Sequence, residues 1–389
     1  MSAVPFGPHA TRASAGRPSV TWPATVAIAI AAIACVGTGV YAAVPGAAYL
    51  LVAAACAVLL LEPRVALPGG PGLDARLLAG VMLIDAAFLL HGLVHGIPPR
   101  RLAALTLSLG MLAIARTLWG AVLHGSPRGE RWVRVATLLA VCALLAAQLA
   151  ELGGLIDRRG LGTADDVELT VRPGGFLNPN MTAAVALVLA WTASRLSGGA
   201  RDLPHLACLL VAALVVVLAQ SRAGLLALGV HVLCLAWRHP AVLAAAALAA
   251  VAALGWVGAD VLLDVAGLID HLLDRFSRDN SSDERLVVLR MGMEAIEARP
   301  WFGNGYRHLE QVFGRSTHNE IVETAVNFGV VGLAVALAGA ALILLPASAT
   351  FLAVCVAPTV LFSHNFLDST ELQTCLGLAL AVDRWRRAR

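Results

Sequence analysis

Long runs of apolar residues alternate with short polar turns along almost the whole chain, and most are long enough, or nearly so, to cross a bilayer. They fall near 22–43, 46–61, 77–96, 102–123, 132–152, 178–196, 203–220, 222–237, 239–258, 319–345, 347–363 and 370–383. The pattern predicts an all-α polytopic membrane protein of about twelve transmembrane helices, forming a single membrane domain over 1–389. Two polar stretches of some length interrupt it, 153–177 and 259–317, the second between helices nine (239–258) and ten (319–345). In that second stretch Ser281 followed by Glu284 forms a capping box, predicting an amphipathic helix over 282–298. Leu286, Leu289, Met293 and Ile296 would make its apolar stripe, and Pro300 with Gly303-Asn304-Gly305 would end it.

Composition narrows the class. Charged residues are only 14% of the 389, against about 25% in soluble domains. All 28 basic residues are arginine, and a net charge of +3 is too small to point to nucleic acid. The seven cysteines lie in apolar runs without a CxxC pair, so they read as small core residues, and no cofactor or metal is expected. Met1 to Pro23, with Arg12 and Arg17, leads into a retained first helix.

Arginines in short loops set the orientation. Arg64, Arg76, Arg128, Arg131, Arg134, Arg195, Arg201, Arg238 and the "RWRRAR" tail share one face with the N-terminus, which the positive-inside rule makes cytoplasmic. Arg100 and Arg101 dissent. Both long polar stretches then face the opposite compartment.

Four places along the chain carry polar groups where lipid would penalise them. In "VVVLAQSRAGLLALGV", 215–230, an arginine at mid-bilayer would cost about 2.5 to 3.5 kcal/mol, so Gln220-Ser221-Arg222 is read as a turn at the outer mouth. Arg222 there could simply snorkel to a headgroup. "THNEIVETAVNFGVVGL" starts the tenth helix with His318, Asn319, Glu320, Glu323 and Asn327, which must face protein or a water-filled cavity. His318 is either a general base or a hydrogen-bonded interfacial histidine. Asn178-Pro179-Asn180 is a turn and helix start that also supplies amides. Arg285 falls in the first turn of the 282–298 helix, where free N–H groups favour an anion. Weaker candidates are the acidic patch Asp165, Asp166 and Glu168, a second histidine at His364, and the buried polar set Asp85, His91 and Arg116.

In combination these pieces resemble the O-antigen ligase and polymerase superfamily of bacterial envelope glycosyltransferases. The resemblance rests on "GFLNPN" at 175–180, "QSRAG" at 220–224, Arg285 with "PWFGNG" at 300–305, and "HNEIVETAVNFGVVG" at 318–332, covering roughly 170 to 345. It implies a GT-C-like helical membrane fold and a metal-independent, inverting transferase in the bacterial inner membrane, with its site on the periplasmic side. The donor would be a polyprenyl-diphosphate-linked glycan. The acceptor would be lipid A core for a ligase, or another glycan for a polymerase. Carried onto this chain, Arg222 and Arg285 would bind the diphosphate and His318 would take the acceptor proton. Leu289 stands where an aromatic is often found, which leaves Arg290 open beside Arg285. Asn178, Asn180, Ser221 and Asn319 are further substrate-binding candidates. A transporter of an anionic lipid-linked sugar is the alternative of a different class.

Overall fold

The structure, a computed structural model, describes residues 74–95, 97, 99–125, 128–156, 172–197, 203–238, 280–362, 366–367 and 369–389. The predicted helices at 22–43, 46–61 and 239–258, the acidic patch at 165–168 and His364 lie outside the described residues. Within them the chain is helical throughout. In order come α1 (Ala75–His95), α2 (Pro99–Gly125), α3 (Gly129–Leu152), α4 (Pro179–Leu196), α5 (Leu203–Ala219) and α6 (Arg222–Arg238). Then follow α7 (Asn280–Ala298), α8 (His308–Phe313), α9 (Glu320–Leu344), α10 (Ala349–Phe351), a π-helical stretch (Leu352–Val356), α11 (Ala357–Phe362) and α12 (Thr370–Arg387). Among these, Ala75–His95, Leu105–His124, Gly129–Leu152 and Glu320–Leu344 are long and apolar enough to cross a membrane.

Two helices form the centre. From Glu371 to Asp383 every residue of α12 is buried, and most of α4 is buried as well. A helix hidden on all sides in this way must be surrounded by others, not by lipid. Gly377 sets how closely α12 can sit on α2: a Cβ there would lie 2.4 Å from the Leu112 carbonyl oxygen. Outward positions of the peripheral spans are apolar and exposed, including Leu90 and Leu93 on α1 and Leu139 on α3. That is the surface a bilayer covers.

One end of the bundle is tied by charge. Asp383 is fully buried and accepts from Arg195 at 3.3 Å, Arg387 at 3.1 Å and the Ser348 N–H at 2.9 Å. Asp74 pairs with Arg116 at 3.3 Å and with Arg384. Arg134 reaches Glu130 and the Leu196 carbonyl, and Arg386 holds the Arg195 and Ser197 carbonyls. Of the arginines grouped by loop position in the sequence, Arg134, Arg195 and those of the C-terminal tail thus share one end of the described bundle.

Two expectations need correcting. The helix predicted at 282–298 begins at Asn280, and its inward stripe is Val288, Gly292 and Ala295 with Met291 and Ile296, while Leu286 and Met293 are exposed. The reason is close approach: a Cβ on Gly292 would meet Thr317 Cγ2 at 3.1 Å and Val322 Cγ1 at 3.2 Å. Two helices dock where the side chain is smallest, and the larger apolar groups fall outside the contact. The tenth run, too, is not a continuous helix. Gly329 inside α9 has φ 72 and ψ −177, a conformation essentially confined to glycine.

Candidate functional site

The end opposite the arginine clasp is where the sequence candidates gather. Helix α3 rises from Glu130 to Glu151, and Glu151 Oε2 accepts from the N–H groups of Gly174 and Gly175, both at 2.7 Å. Gln148 donates to the carbonyls of Pro173, at 2.9 Å, and Val215, at 3.1 Å. The loop before α4 is thus fixed before Asn178 caps the helix, its Oδ1 accepting from the Asn180 N–H at 3.0 Å. Pro179 follows as the first helical residue, where its missing N–H costs nothing.

Beside it, α5 turns into α6 as the sequence predicts. Gln220 adopts left-handed backbone at φ 48, and buried Ser221 caps α6 by accepting from the Gly224 N–H at 3.2 Å. Arg222 is the first residue of α6 and is half-buried. The charge thus sits at a helix end beside polar backbone, not in the middle of one long apolar helix. Joining the two turns is Arg172. Its guanidinium donates to Asn180 Oδ1 at 2.9 Å and to the carbonyls of Ala219 at 3.1 Å and Gln220 at 3.3 Å. The sequence pattern does not single this residue out. Its position immediately before Pro173-Gly174-Gly175 is the only signal it gives.

The third corner is the start of α9. His318 lies outside the helix, in left-handed backbone at φ 51, so helical spacing does not govern which groups reach it. Asn319 is the cap, its Oδ1 accepting from Ile321 at 3.0 Å and Val322 at 3.1 Å while its amide donates to the Leu361 carbonyl at 3.4 Å. Buried Glu323 turns back to receive both the N–H and the hydroxyl of Thr317, at 3.1 and 3.0 Å. It also accepts from Asn327 at 3.4 Å, whose Oδ1 in turn receives the His308 N–H at 3.1 Å. Glu320 accepts from the Phe366 N–H at 2.9 Å, tying in the chain that leads to α12. These groups hold the backbone on both sides of His318. The buried polar residues that the sequence required to face protein do so, and they face one another.

The PWFGNG segment closes the break in α9. Val330 and Val331 donate to the carbonyls of Pro300, at 2.7 Å, and Trp301, at 3.3 Å. Asn304 and Gly305 donate in return to the carbonyls of Val326 and Asn327, at 2.9 and 3.1 Å. This explains both glycines. A Cβ on Gly303 would fall 2.4 Å from the Asn327 oxygen, and one on Gly329 would fall 2.3 Å from the Trp301 oxygen.

Two clefts open at this end. One is lined mainly by apolar groups of α4, α6 and α11, among them Met181, Ala184, Gly224, Pro358 and Thr359. The other is mixed, with Arg307, Glu310, Ser316, Glu320 and Glu323 in its wall beside Phe88, Leu105, Phe328 and Leu367. Helix α11 connects them: Pro358 and Thr359 line the first beside Ala223, and the Leu361 carbonyl meets Asn319 next to His318. Among the described residues, the non-glycine positions in left-handed backbone are Gln220, Arg307 and His318, all at this end.

Helix α7 lies against the first half of α9 through Gly292, beside Thr317. Position 285 is seven residues earlier, about two turns, on that same stripe. Arg290 is exposed and stands on the opposite side of the helix. Asp85, His91 and Arg116 are not brought together as a set: Arg116 belongs to the Asp74 clasp, and His91 stacks on His95 with ring centroids 4.1 Å apart.

Among curated proteins, none matches the chain. Residues 207–337, which run from α5 into α9, match the family model described as O-Antigen ligase, and that match supports a relationship to the O-antigen ligase and polymerase superfamily.

Proposed function

We propose that the protein is an O-antigen ligase, moving a glycan from a polyprenyl-diphosphate lipid to a sugar hydroxyl of lipid A core at the periplasmic face of the inner membrane. The observation that supports this reading is that the segments carrying Arg222 and His318 both pack next to α11: Ala223 lines the apolar cleft with Pro358 and Thr359, and Asn319 donates to the Leu361 carbonyl. An apolar cleft beside an arginine-bearing helix start suits a lipid tail ending in a diphosphate. A cleft with Glu310, Glu320 and Glu323 in its wall, near the segment that carries His318, suits a hydroxylated acceptor.

The chemistry asks little more. The diphosphate is already a good leaving group, so the protein must offset its developing charge and remove one proton. Arg222 and Arg285 grip phosphate oxygens and stay protonated; the shared stripe of position 285 with Gly292 supports Arg285 over Arg290 as the second ligand. His318 takes the acceptor proton as the new bond forms to the anomeric carbon and the bond to the diphosphate breaks. Attack from the side opposite the leaving group inverts that carbon, and no metal enters the scheme.

The test is transfer by purified protein given a polyprenyl-diphosphate glycan and lipid A core without added metal or nucleotide. Glycan on lipid A core supports the ligase. A lengthening ladder on the polyprenyl lipid would instead make the protein a polymerase. Donor binding with no transfer to either would make it a transporter. His318→Ala should abolish transfer while donor binding remains, and full activity in that variant would remove the proposed base.

A further inference from the structure

The loop that repairs the break in α9 also carries two large exposed apolar side chains. Trp301 and Phe302 are each 66% exposed, although their backbone is held against α9 at Val330 and Val331. Helix α1 gives the depth of this loop. The rings of Phe328 and Phe88 lie 4.6 Å apart, so Gly329 sits level with Phe88. Beyond Phe88, α1 continues outward with Leu93 at 83% and Val94 at 71% exposed. Those residues stand five and six positions further, about 7 to 9 Å along the axis. A membrane that covers Leu93 and Val94 therefore reaches past the level of Trp301.

Irregular backbone at that depth is tolerated only when its polar groups are paired. Here the carbonyls of Pro300 and Trp301 accept from α9, Gly303 donates to Arg299 at 3.1 Å, and Asn304 and Gly305 donate to α9. The Asn304 amide is turned inward as well, donating to the Ala295 carbonyl at 2.7 Å. A loop in water has no such need. Exposed Val330 and Val331 continue the same apolar surface along α9.

We propose that the Pro300–Gly305 loop is a wedge inserted into the lipid leaflet at the site end of the bundle, with Trp301 and Phe302 among the headgroups and upper acyl chains. The partner is the bilayer itself. Helix α7 and the loop then form a surface resting on the membrane, not a segment standing in water. This inference depends only on α1 and α9 being membrane spans and not on the transfer reaction.

The experiment uses the full chain in phosphatidylcholine vesicles, in which Trp301 is one of eight tryptophans. Emission is compared between the wild type and Trp301→Phe, with lipids brominated near the glycerol end of the acyl chain and, separately, with aqueous iodide. The component lost in Trp301→Phe should be quenched by bromolipid and spared by iodide. Phe302→Trp should add a component of the same kind, which covers the case of a poorly folded first variant. Quenching by iodide alone would overturn the proposal by placing the loop in water. Quenching by neither would overturn it too, and would point to a second copy of the chain on this face.

Discussion

A methyl group has no room at Gly303 or Gly329, and at Gly329 no other residue readily adopts the backbone angles. Holding a side chain in that conformation costs about 1 to 3 kcal/mol before any clash is counted. Gly329→Ala and Gly303→Ala should therefore lower the melting temperature of the solubilised protein clearly. Gly110 and Gly229 supply the comparison, since each sits in a helix with open space around it. Alanine there should be neutral or stabilising by about 0.5 to 1 kcal/mol. Equal losses at all four positions would mean that the close contact of loop and helix is not what the glycines serve. Arg172 is the other residue whose role follows from its contacts. Arg172→Ala removes three bonds that join the α4 cap to the α5–α6 turn, and it should weaken donor binding by shifting Arg222, measurable as a raised KM at nearly unchanged folding.

At the scale of elements, the start of α9 shows how groups on both sides fix the backbone that carries His318, the base of the proposed reaction. Glu323 fixes Thr317, and Asn319 fixes the first turn, so the backbone of His318 is clamped from both sides. Glu323→Ala leaves the buried donors of Thr317 and Asn327 without their acceptor, a loss of about 1 to 3 kcal/mol. If Glu323 positions the base, kcat should fall with little change in KM; a lower melting temperature at full kcat would limit it to packing. Much of this element could be read in advance. The cluster of polar residues at the head of an apolar run told that they face protein, and "QSR" told of a turn. The break at Gly329 could not be read, because a glycine among valines looks like an ordinary packing position until the segment that pairs with it is known. The stripe of α7 was misjudged for a related reason: periodicity identified the large apolar residues, whereas the docking contact is set by the small Gly292.

For the whole molecule, the two ends divide the work. One is fastened by ion pairs, the other carries clefts, caps and left-handed turns. Asp383 is the most enclosed of the fastenings, and Asp383→Ala would remove the acceptor shared by Arg195, Arg387 and the Ser348 N–H, a loss of about 1 to 3 kcal/mol seen as a lowered melting temperature. Asp74 gives the clasp a pH dependence. Burial alone would raise its carboxyl, but the Arg76 N–H and the charges of Arg116 and Arg384 outweigh it and hold the group below the usual carboxylate range. A depressed value in the folded state means that the stabilisation is present above the ordinary value near 3.8 and fades as pH falls through the lower, folded one. Asp74→Asn should thus flatten the acid limb of a stability profile while lowering stability at neutral pH. The helical class was plain from the sequence; which helix lies at the centre was not, because α12 reads as one apolar run among many.

The interruption in α9 also bears on how the chain is made. A helix that lacks internal partners for Val330 and Val331 is a poor candidate for entering lipid by itself. Synthesis runs from the N-terminus, so Pro300 to Gly305 have left the ribosome before α9 follows. The segment that completes the helix is already at hand when the helix needs it. Moving that segment downstream of α9 by circular permutation would reverse the order, and biogenesis would be expected to suffer even where the finished contacts remain the same.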